Sequence, residues 1–220
     1  MTEQPNNNNV SLNRIAIACI GIMLLVSAVL YPSLPETLPR QWGIDGEVNS
    51  TWHKNYAVLV MPALAIGIYI LTYLLPMIDP RRDSYEKFRP SYERVRIAVL
   101  VMMAGLHILT LTQYDNPQML VKLIMFGVSL LFVFIGNEMG RFRQTWFTGI
   151  RTPWTLADER VWKKTHRVGA RWFVGVGLLN MALVFVLPMT ALFAIFMMSI
   201  IGVALGISAY SYVLYRRWNA

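Results

Sequence analysis

The chain has 220 residues, of which 55% are hydrophobic and only 15% are charged, and its mean hydropathy is +0.45. Soluble domains of this length are usually about one quarter charged. Here the charges cluster between long apolar runs, so the composition indicates a membrane protein and argues against an ordinary soluble domain. The net charge of +8 would favour nucleic acid in a soluble protein, but no basic stretch forms a domain of its own, and we expect no direct nucleic-acid contact.

Six apolar runs follow a polar N-terminal stretch. Residues 1–13, with four consecutive asparagines, are predicted to be a disordered tail. Each run is long enough to cross a hydrocarbon core of about 30 Å as a helix. The runs lie at about 15–30, 56–78, 96–114, 119–136, 168–187 and 190–215. The sequence therefore predicts an all-α polytopic membrane helix bundle in the cytoplasmic membrane, with lipid as the solvent for most side chains.

The positions of the cationic side chains predict the orientation of this bundle. All but three of the 20 lysines and arginines flank or lie between runs on one side, and the exceptions are Arg40, Lys54 and Lys122. Since cationic residues accumulate on the cytoplasmic side, both termini are expected to be cytoplasmic. We expect an N-terminal three-helix half at 14–114 with an outer loop at 31–55. A C-terminal three-helix half at 115–220 would carry a basic inner segment at 137–167.

The residue types needed for catalysis or metal binding do not converge in this arrangement. His53, His107 and His166 are expected at different depths and cannot share one metal site. No nucleophile elbow, zinc-protease motif or phosphate-binding glycine loop is present. The sequence therefore predicts a protein that is not an enzyme, with no cofactor and no metal.

The outer loop has more polar and turn-forming residues than a simple helix connection needs. Its prolines stiffen it, and Asp45-Gly46 is a turn signal that favours a small hairpin. Such a loop is suited either to recognition or to capping the helix ends. The candidate recognition residues are Pro39, Trp42, Gly46 and Lys54.

The inner segment has the densest polar content of the chain. Thr155 and Asp158 have the spacing of a capping box, which predicts that a helix begins there and continues into the fifth run. A basic helix with tryptophans is typical of an interfacial anchor. The mixture of charged groups also allows them to pair with one another or to bind a partner. The candidate residues are Arg151, Thr152, Trp154, Asp158, Glu159, Trp162, Thr165 and His166.

This inner segment resembles the SdpI family of bacterial immunity proteins. The matching residues are Gly-Ile-Arg-Thr-Pro-Trp-Thr-Leu at 149–156 and Val-Trp-Lys-Lys-Thr-His-Arg at 161–167, and Gly-Asn-Glu-Met-Gly at 136–140 also fits the pattern. The outer loop is similar to a small domain of unknown function that commonly precedes the family's segment. The chain departs from the pattern at Gln41, where histidine is common, and at Gln144-Thr145, where Pro-Asn is common.

The resemblance implies protection of the cell from a secreted peptide toxin. It also implies, for those family members that have both roles, retention of a small transcriptional repressor at the membrane. Two other hypotheses follow from the residues alone. Six helices with few buried charges permit a small transporter or exporter of a peptide or lipophile, whose polar mid-span residues would be His107 and Asn180. A structural or lipid-organising protein without a ligand is the third.

Overall fold

The computed structural model describes residues 7–219 of the chain, with side chains from residue 13 onward. The first helix begins within the stretch 1–13 that the sequence predicts as a disordered tail, and residues 1–6 lie outside the described residues. The helices are α1 Asn7–Leu30, α2 Lys54–Ile78, α3 Asp83–Glu86, α4 Arg89–Thr112, α5 Pro117–Met139, α6 Pro153–Ala157, α7 Glu159–Leu183 and α8 Met189–Asn219, with a short 3-10 turn at Tyr31–Ser33. Two strands, β1 Thr37–Trp42 and β2 Val48–His53, lie between α1 and α2.

Within the described residues, five helices are long and apolar enough to cross a membrane: α1, α2, α4, α5 and α8. This confirms the predicted all-α membrane bundle. The helix α7 is not among the five, because its first half, Glu159 to Arg171, is rich in charged side chains.

The helix α7 nevertheless packs closely along the length of α5. Gly136 of α5 faces α7, where an added Cβ would lie 2.8 Å from the Ala170 carbonyl oxygen. Further along, a Cβ on Gly177 of α7 would lie 2.6 Å from the Ser129 carbonyl oxygen. Because the two helices run antiparallel in close contact, we infer that α7 crosses the bilayer beside α5, as the six-span prediction requires.

The two ends of the bundle have different structures. At one end, called the outer end here, β1 and β2 form an antiparallel hairpin whose turn contains Gly46 at φ +83°. The predicted Asp45-Gly46 hairpin is therefore present. At the other end, called the inner end, residues 140–158 fold into a compact connection between α5 and α7. Both ends pack on the helices that they connect.

Two clusters of buried side chains hold the spans together. One joins α1, α2 and α4 through residues that include Met23, Ala65 and Leu100. The other joins α5 and α8 to the C-terminal end of α7, around Met125, Val184 and Leu192. The helices α4 and α5 connect these clusters directly, and the hairpin and the inner connection cover the two ends of the same bundle.

Candidate functional site: the inner motif and the outer hairpin

His166 is the centre of a compact structure at the inner end, which we call the inner motif, residues 144–166. Its Nε2 accepts a hydrogen bond from the backbone N–H of Ile150 at 2.9 Å, and its Nδ1 lies 2.9 Å from the Trp162 carbonyl oxygen. Since a backbone N–H only donates, Nε2 is the unprotonated nitrogen and Nδ1 carries the hydrogen. The imidazole is 1% exposed, and its burial lowers the pKa of His166 to about 4. It is therefore neutral at physiological pH.

Trp162 and Gly149 enclose this histidine. The indole ring stacks on the imidazole with centroids 4.0 Å apart, and its Nε1 donates to the Phe142 carbonyl at 3.0 Å. Gly149 has a φ of +109°, and a Cβ there would lie 2.6 Å from His166 Nε2 and 2.8 Å from the indole. Only glycine combines this backbone conformation with so close an approach.

A pair of threonines forms the N-terminal cap of α6. Thr155 N–H donates to Thr152 Oγ1 at 3.2 Å, and Thr152 N–H donates to Thr155 Oγ1 at 2.9 Å. The predicted capping box between Thr155 and Asp158 is therefore wrong: Thr155 occupies the N3 position of an earlier box whose N-cap is Thr152. Asp158 instead caps α7, accepting from the Arg160 N–H at 2.7 Å. A helix does continue into the fifth apolar run, but it is α7 beginning at Glu159: α6 ends at Ala157, and Asp158 between them has an extended backbone.

The inner motif is also tied to its neighbours. Thr152 Oγ1 lies 2.9 Å from the Ser211 hydroxyl of α8, and Trp154 packs on Tyr212 with ring centroids 5.0 Å apart. The Gln144 side-chain amide donates to the carbonyls of Thr155 and Leu156 at 2.7 and 2.9 Å. The departure from the family pattern at position 144 thus has a structural role here. The Gln144 side chain fixes the C-terminal half of α6.

The charged candidates of the inner motif do not pair with one another. Arg151 donates to the Trp146 carbonyl at 2.9 Å. Asp158 pairs with Arg160 at 2.7 Å, which lowers the pKa of Asp158 to about 2. Glu159 pairs with Lys163 at 2.9 Å along α7. Each charge is therefore satisfied locally. Within the inner motif, Thr165 is fully buried and its hydroxyl has no hydrogen-bond partner among the described residues.

Sequence reasoning missed Asp79, which joins the inner motif to α2. Asp79 is buried, and its Oδ2 accepts from the backbone N–H groups of Trp146 and Phe147 at 3.0 and 3.2 Å and from the Tyr85 hydroxyl at 3.1 Å. Its Oδ1 accepts from the Arg81 N–H at 2.7 Å. In the sequence it resembles an ordinary helix-ending Asp-Pro pair, so only the charge next to a long apolar run signalled it.

Glu138 was likewise not selected from the sequence. Its carboxylate accepts from Arg94 Nε and Nη2 at 2.9 and 2.8 Å, and from Arg141 Nη1 at 2.9 Å. The bidentate pair with Arg94 connects the inner ends of α4 and α5. A glutamate in the Gly-Asn-Glu-Met-Gly stretch at the end of an apolar run was the available signal.

The outer hairpin covers the opposite helix ends. Trp42 packs on the cluster of α5, α7 and α8 residues, and a Cβ on Gly46 would lie 3.1 Å from Met189 of α8. Lys54 pairs with Glu36 at 3.0 Å and lies over the Tyr31 ring at 5.1 Å, and its hydrogen bond lowers the pKa of Glu36. Pro39 pairs with Thr51, next to a register shift. Trp42, Gly46 and Lys54 therefore hold the hairpin in place and Pro39 lies within its ladder, whereas Arg40 and Ile44 are exposed.

The polar mid-span residues form hydrogen bonds between helices. His107 of α4 lies 2.8 Å from the Ser27 hydroxyl of α1, and that hydroxyl donates to the Val58 carbonyl of α2 at 2.9 Å. Asn180 of α7 donates to Ser199 of α8 at 2.9 Å. Among residues 13–219, no group of three or more His, Cys, Asp or Glu side chains is placed to hold a metal ion.

This combination of a multi-helix bundle with folded structures at both ends defines a multi-pass cell membrane protein. Residues 141–211 match the SdpI/YfhL protein family, and residues 18–66 match a domain of unknown function, DUF1648. The chain is 27% identical over 173 residues to the Immunity protein SdpI of Bacillus subtilis (strain 168), covering 79% of this chain and 81% of that protein. The predicted resemblance to the SdpI family is therefore confirmed. No solved structure matches the chain.

Proposed function

We propose that this chain is a non-enzymatic immunity protein of the cytoplasmic membrane that protects its cell from a secreted antimicrobial peptide toxin. One observation carries the proposal: the similarity to an immunity protein extends over 79% of the chain. The family match at 141–211 also contains the whole inner motif, residues 144–166. That motif buries polar groups, and a buried polar group destabilises the fold unless it is hydrogen-bonded. A simple connection between two helices would not need such groups, so we expect the motif to have a further role.

The proposal assigns toxin or toxin-bound lipid to the outer end. The hairpin is held on the helix ends by Trp42, Gly46 and Lys54, and it leaves Arg40 and Ile44 accessible. A fixed hairpin with an exposed cation and an exposed apolar tip offers a preorganised surface to an amphipathic peptide. With both termini cytoplasmic, this surface would face the exterior.

At the inner end, the inner motif would respond to the conformational state of the bundle. The inner motif contacts α8 through Thr152 and Ser211 and α2 through Asp79, so a relative displacement of these helices would strain its buried hydrogen bonds. The exposed cationic side chains Arg143, Lys164 and Arg167 lie on or beside this motif. In members with the second role, this is the surface that a small transcriptional repressor would contact.

The polar residues within the spanning helices favour transport less than immunity. His107 and Asn180, the residues expected to serve it, are engaged in hydrogen bonds between helices. Substrate flux in proteoliposomes that is lost on replacing either residue would favour transport over immunity.

Survival assays test the proposal. A sensitive cell expressing the chain is titrated with a panel of secreted membrane-active peptides, with an empty vector and an equally expressed unrelated membrane protein as controls. The expected result is a higher lethal concentration for at least one peptide, specific to this chain. Identical survival curves across the panel would reject the proposal.

A further inference from the structure

An apolar groove lies between α4 and α5 on the bilayer-facing side of the bundle. It has a volume of about 570 Å³ and is lined almost entirely by apolar side chains, among them Val101, Leu130 and Phe134. These three side chains are substantially exposed on the protein surface, so in the membrane they face hydrocarbon. The groove is therefore open to lipid.

Small residues create the groove. Gly105 lies in its wall, and a Cβ at that position would meet no atom within 4 Å. Met102 and Gly127 also line the groove, and a Cβ on Gly127 would lie 3.2 Å from the Met102 sulfur. The result is a groove along the helix pair that is open on its lipid side.

A charged cluster lies at one end of this apolar groove. Arg94 lines its inner end and shares Glu138 with Arg141. Two guanidinium groups on one carboxylate leave one positive charge in excess, and the cations are accessible. The side chains of Arg94 and Arg141 are 43% and 57% exposed, whereas that of Glu138 is 6% exposed. This end of the groove thus offers guanidinium donors to an anionic group at headgroup depth.

The length of the groove fits a lipid chain. From Arg94 to Leu109 the lining residues extend about 22 Å along α4 at 1.5 Å per residue. One leaflet of hydrocarbon is about 15 Å thick, half of the bilayer core. A chain whose headgroup lies at Arg94 can therefore lie wholly within the groove.

We propose that the groove between α4 and α5 is a binding site for one anionic phospholipid of the leaflet at the inner end, with an acyl chain along Gly105 and its phosphate at Arg94 and Arg141. The bound chain would fill the space between α4 and α5, the two helices that connect the halves of the bundle. This site is separate from the inner motif and from the hairpin, and the inference does not depend on the proposed immunity function.

The test uses the full chain, purified in detergent and stripped of lipid. It is titrated with phosphatidylglycerol or phosphatidylcholine of identical acyl chains, and bound lipid is counted by native mass spectrometry. Wild type is expected to form a one-to-one complex and to prefer phosphatidylglycerol by about fivefold, the effect of one excess cation near the headgroup. Arg141→Gln leaves the Arg94–Glu138 pair intact and is expected to remove the preference.

Matched glycine variants test the position of the acyl chain. Gly105→Leu fills the groove and is expected to lose the complex. Gly67→Leu is the control, because Gly67 is also a glycine within a spanning helix, α2, whose added Cβ would meet no atom within 4 Å, and it does not line the groove. Ala98→Leu, which narrows the groove one turn from Arg94, provides a second variant in case Gly105→Leu does not fold.

Three results would overturn the proposal. The first is equal binding of the two lipids by the wild type. The second is undiminished binding in folded Gly105→Leu or Ala98→Leu. The third is a lipid-independent dimer that these variants abolish, which would assign the groove to a second copy of the chain.

Discussion

Nε2 of His166 accepts the backbone N–H of Ile150 at 2.9 Å while the same imidazole stacks on Trp162. The histidine is fixed in one neutral tautomer by a hydrogen bond from a loop sixteen residues earlier. A protonated ring could not accept this bond and would present a second donor to a backbone donor. The inner motif therefore depends on His166 remaining neutral.

The first prediction concerns pH. Burial lowers the folded-state pKa of His166 to about 4, below the ordinary value near 6.5. Between these pH values the unfolded chain binds more protons than the folded chain. The contribution of neutral His166 to the free energy of unfolding is therefore complete above about pH 6.5 and is lost as the pH falls through about 4. Amide hydrogen exchange at Ile150 should accelerate over this window, after correction for the intrinsic pH dependence of exchange.

His166→Leu provides the control for this pH effect. The variant should exchange faster at Ile150 at neutral pH, because the buried N–H loses its acceptor at a cost of about 1–3 kcal/mol. Its protection should then show no additional step between pH 6.5 and 4. A step of equal size in wild type and His166→Leu would exclude His166 as its source.

The second prediction concerns the backbone at Gly149. Gly149→Ala places a Cβ against His166 and Trp162 at a φ of +109° and should destabilise the inner motif by at least about 1–3 kcal/mol. Gly140→Ala is the matched control, because its backbone is helical, at φ −62°, and its Cβ would meet no atom within 4 Å. Limited proteolysis of residues 144–158 in detergent should be faster in Gly149→Ala alone. Equal rates in both variants would show that the inner motif does not require glycine at position 149.

The third prediction concerns the connection between α2 and the inner motif. Asp79→Asn replaces one acceptor oxygen by a donor amide facing N–H groups, so the Trp146–Phe147 turn should loosen at a cost of about 1–3 kcal/mol. Asp83→Asn is the control, because the Asp83 side chain is 95% exposed. The thermal midpoint in detergent should fall only for Asp79→Asn. Unchanged midpoints in both variants would show that the Asp79 contacts contribute nothing.

The fourth prediction concerns the hairpin. Trp42→Ala removes the ring that packs on the α5–α8 cluster and should release the hairpin. Trp52→Ala is a suitable control, because Trp52 contacts Arg40 within the hairpin, with the guanidinium 5.3 Å from the ring. Hydrogen exchange of residues 37–53 should increase far more in Trp42→Ala. The reverse order would indicate that the hairpin is stabilised mainly by its own side chains.

Local patterns explain which features were predictable from the sequence. Apolar runs report burial in lipid directly, and Asp45-Gly46 reports a tight turn, so the spans and the hairpin could be predicted. The contact of Asp79 with Trp146 joins residues 67 positions apart, and no local pattern encodes it. The capping of α6 was misassigned because Thr152, Thr155 and Asp158 all have capping chemistry, and only the loop geometry selects among them.

The role of each candidate residue required the tertiary structure. The sequence places His166 among groups that could pair with one another or bind a partner, and Trp162 among the tryptophans of an interfacial anchor, but both side chains are buried and hold the inner motif together. The outer candidates Trp42, Gly46 and Lys54 likewise position the hairpin, and Pro39 is part of its ladder. Arg40 and Ile44, which are not among the four candidates, are two of the exposed residues of the hairpin, together with others such as Asp45 and Glu47.

Membrane potential measurements test most directly whether this chain protects the membrane from a secreted peptide. Sensitive cells expressing wild type, Gly140→Ala or Gly149→Ala at equal levels in the membrane are exposed to a panel of secreted membrane-active peptides while a potential-sensitive dye is recorded. Wild type and Gly140→Ala are expected to remain polarised at a concentration of at least one peptide that depolarises cells with empty vector, whereas Gly149→Ala is expected to lose this protection. Depolarisation of wild-type and empty-vector cells at the same concentration of every peptide would contradict this expectation.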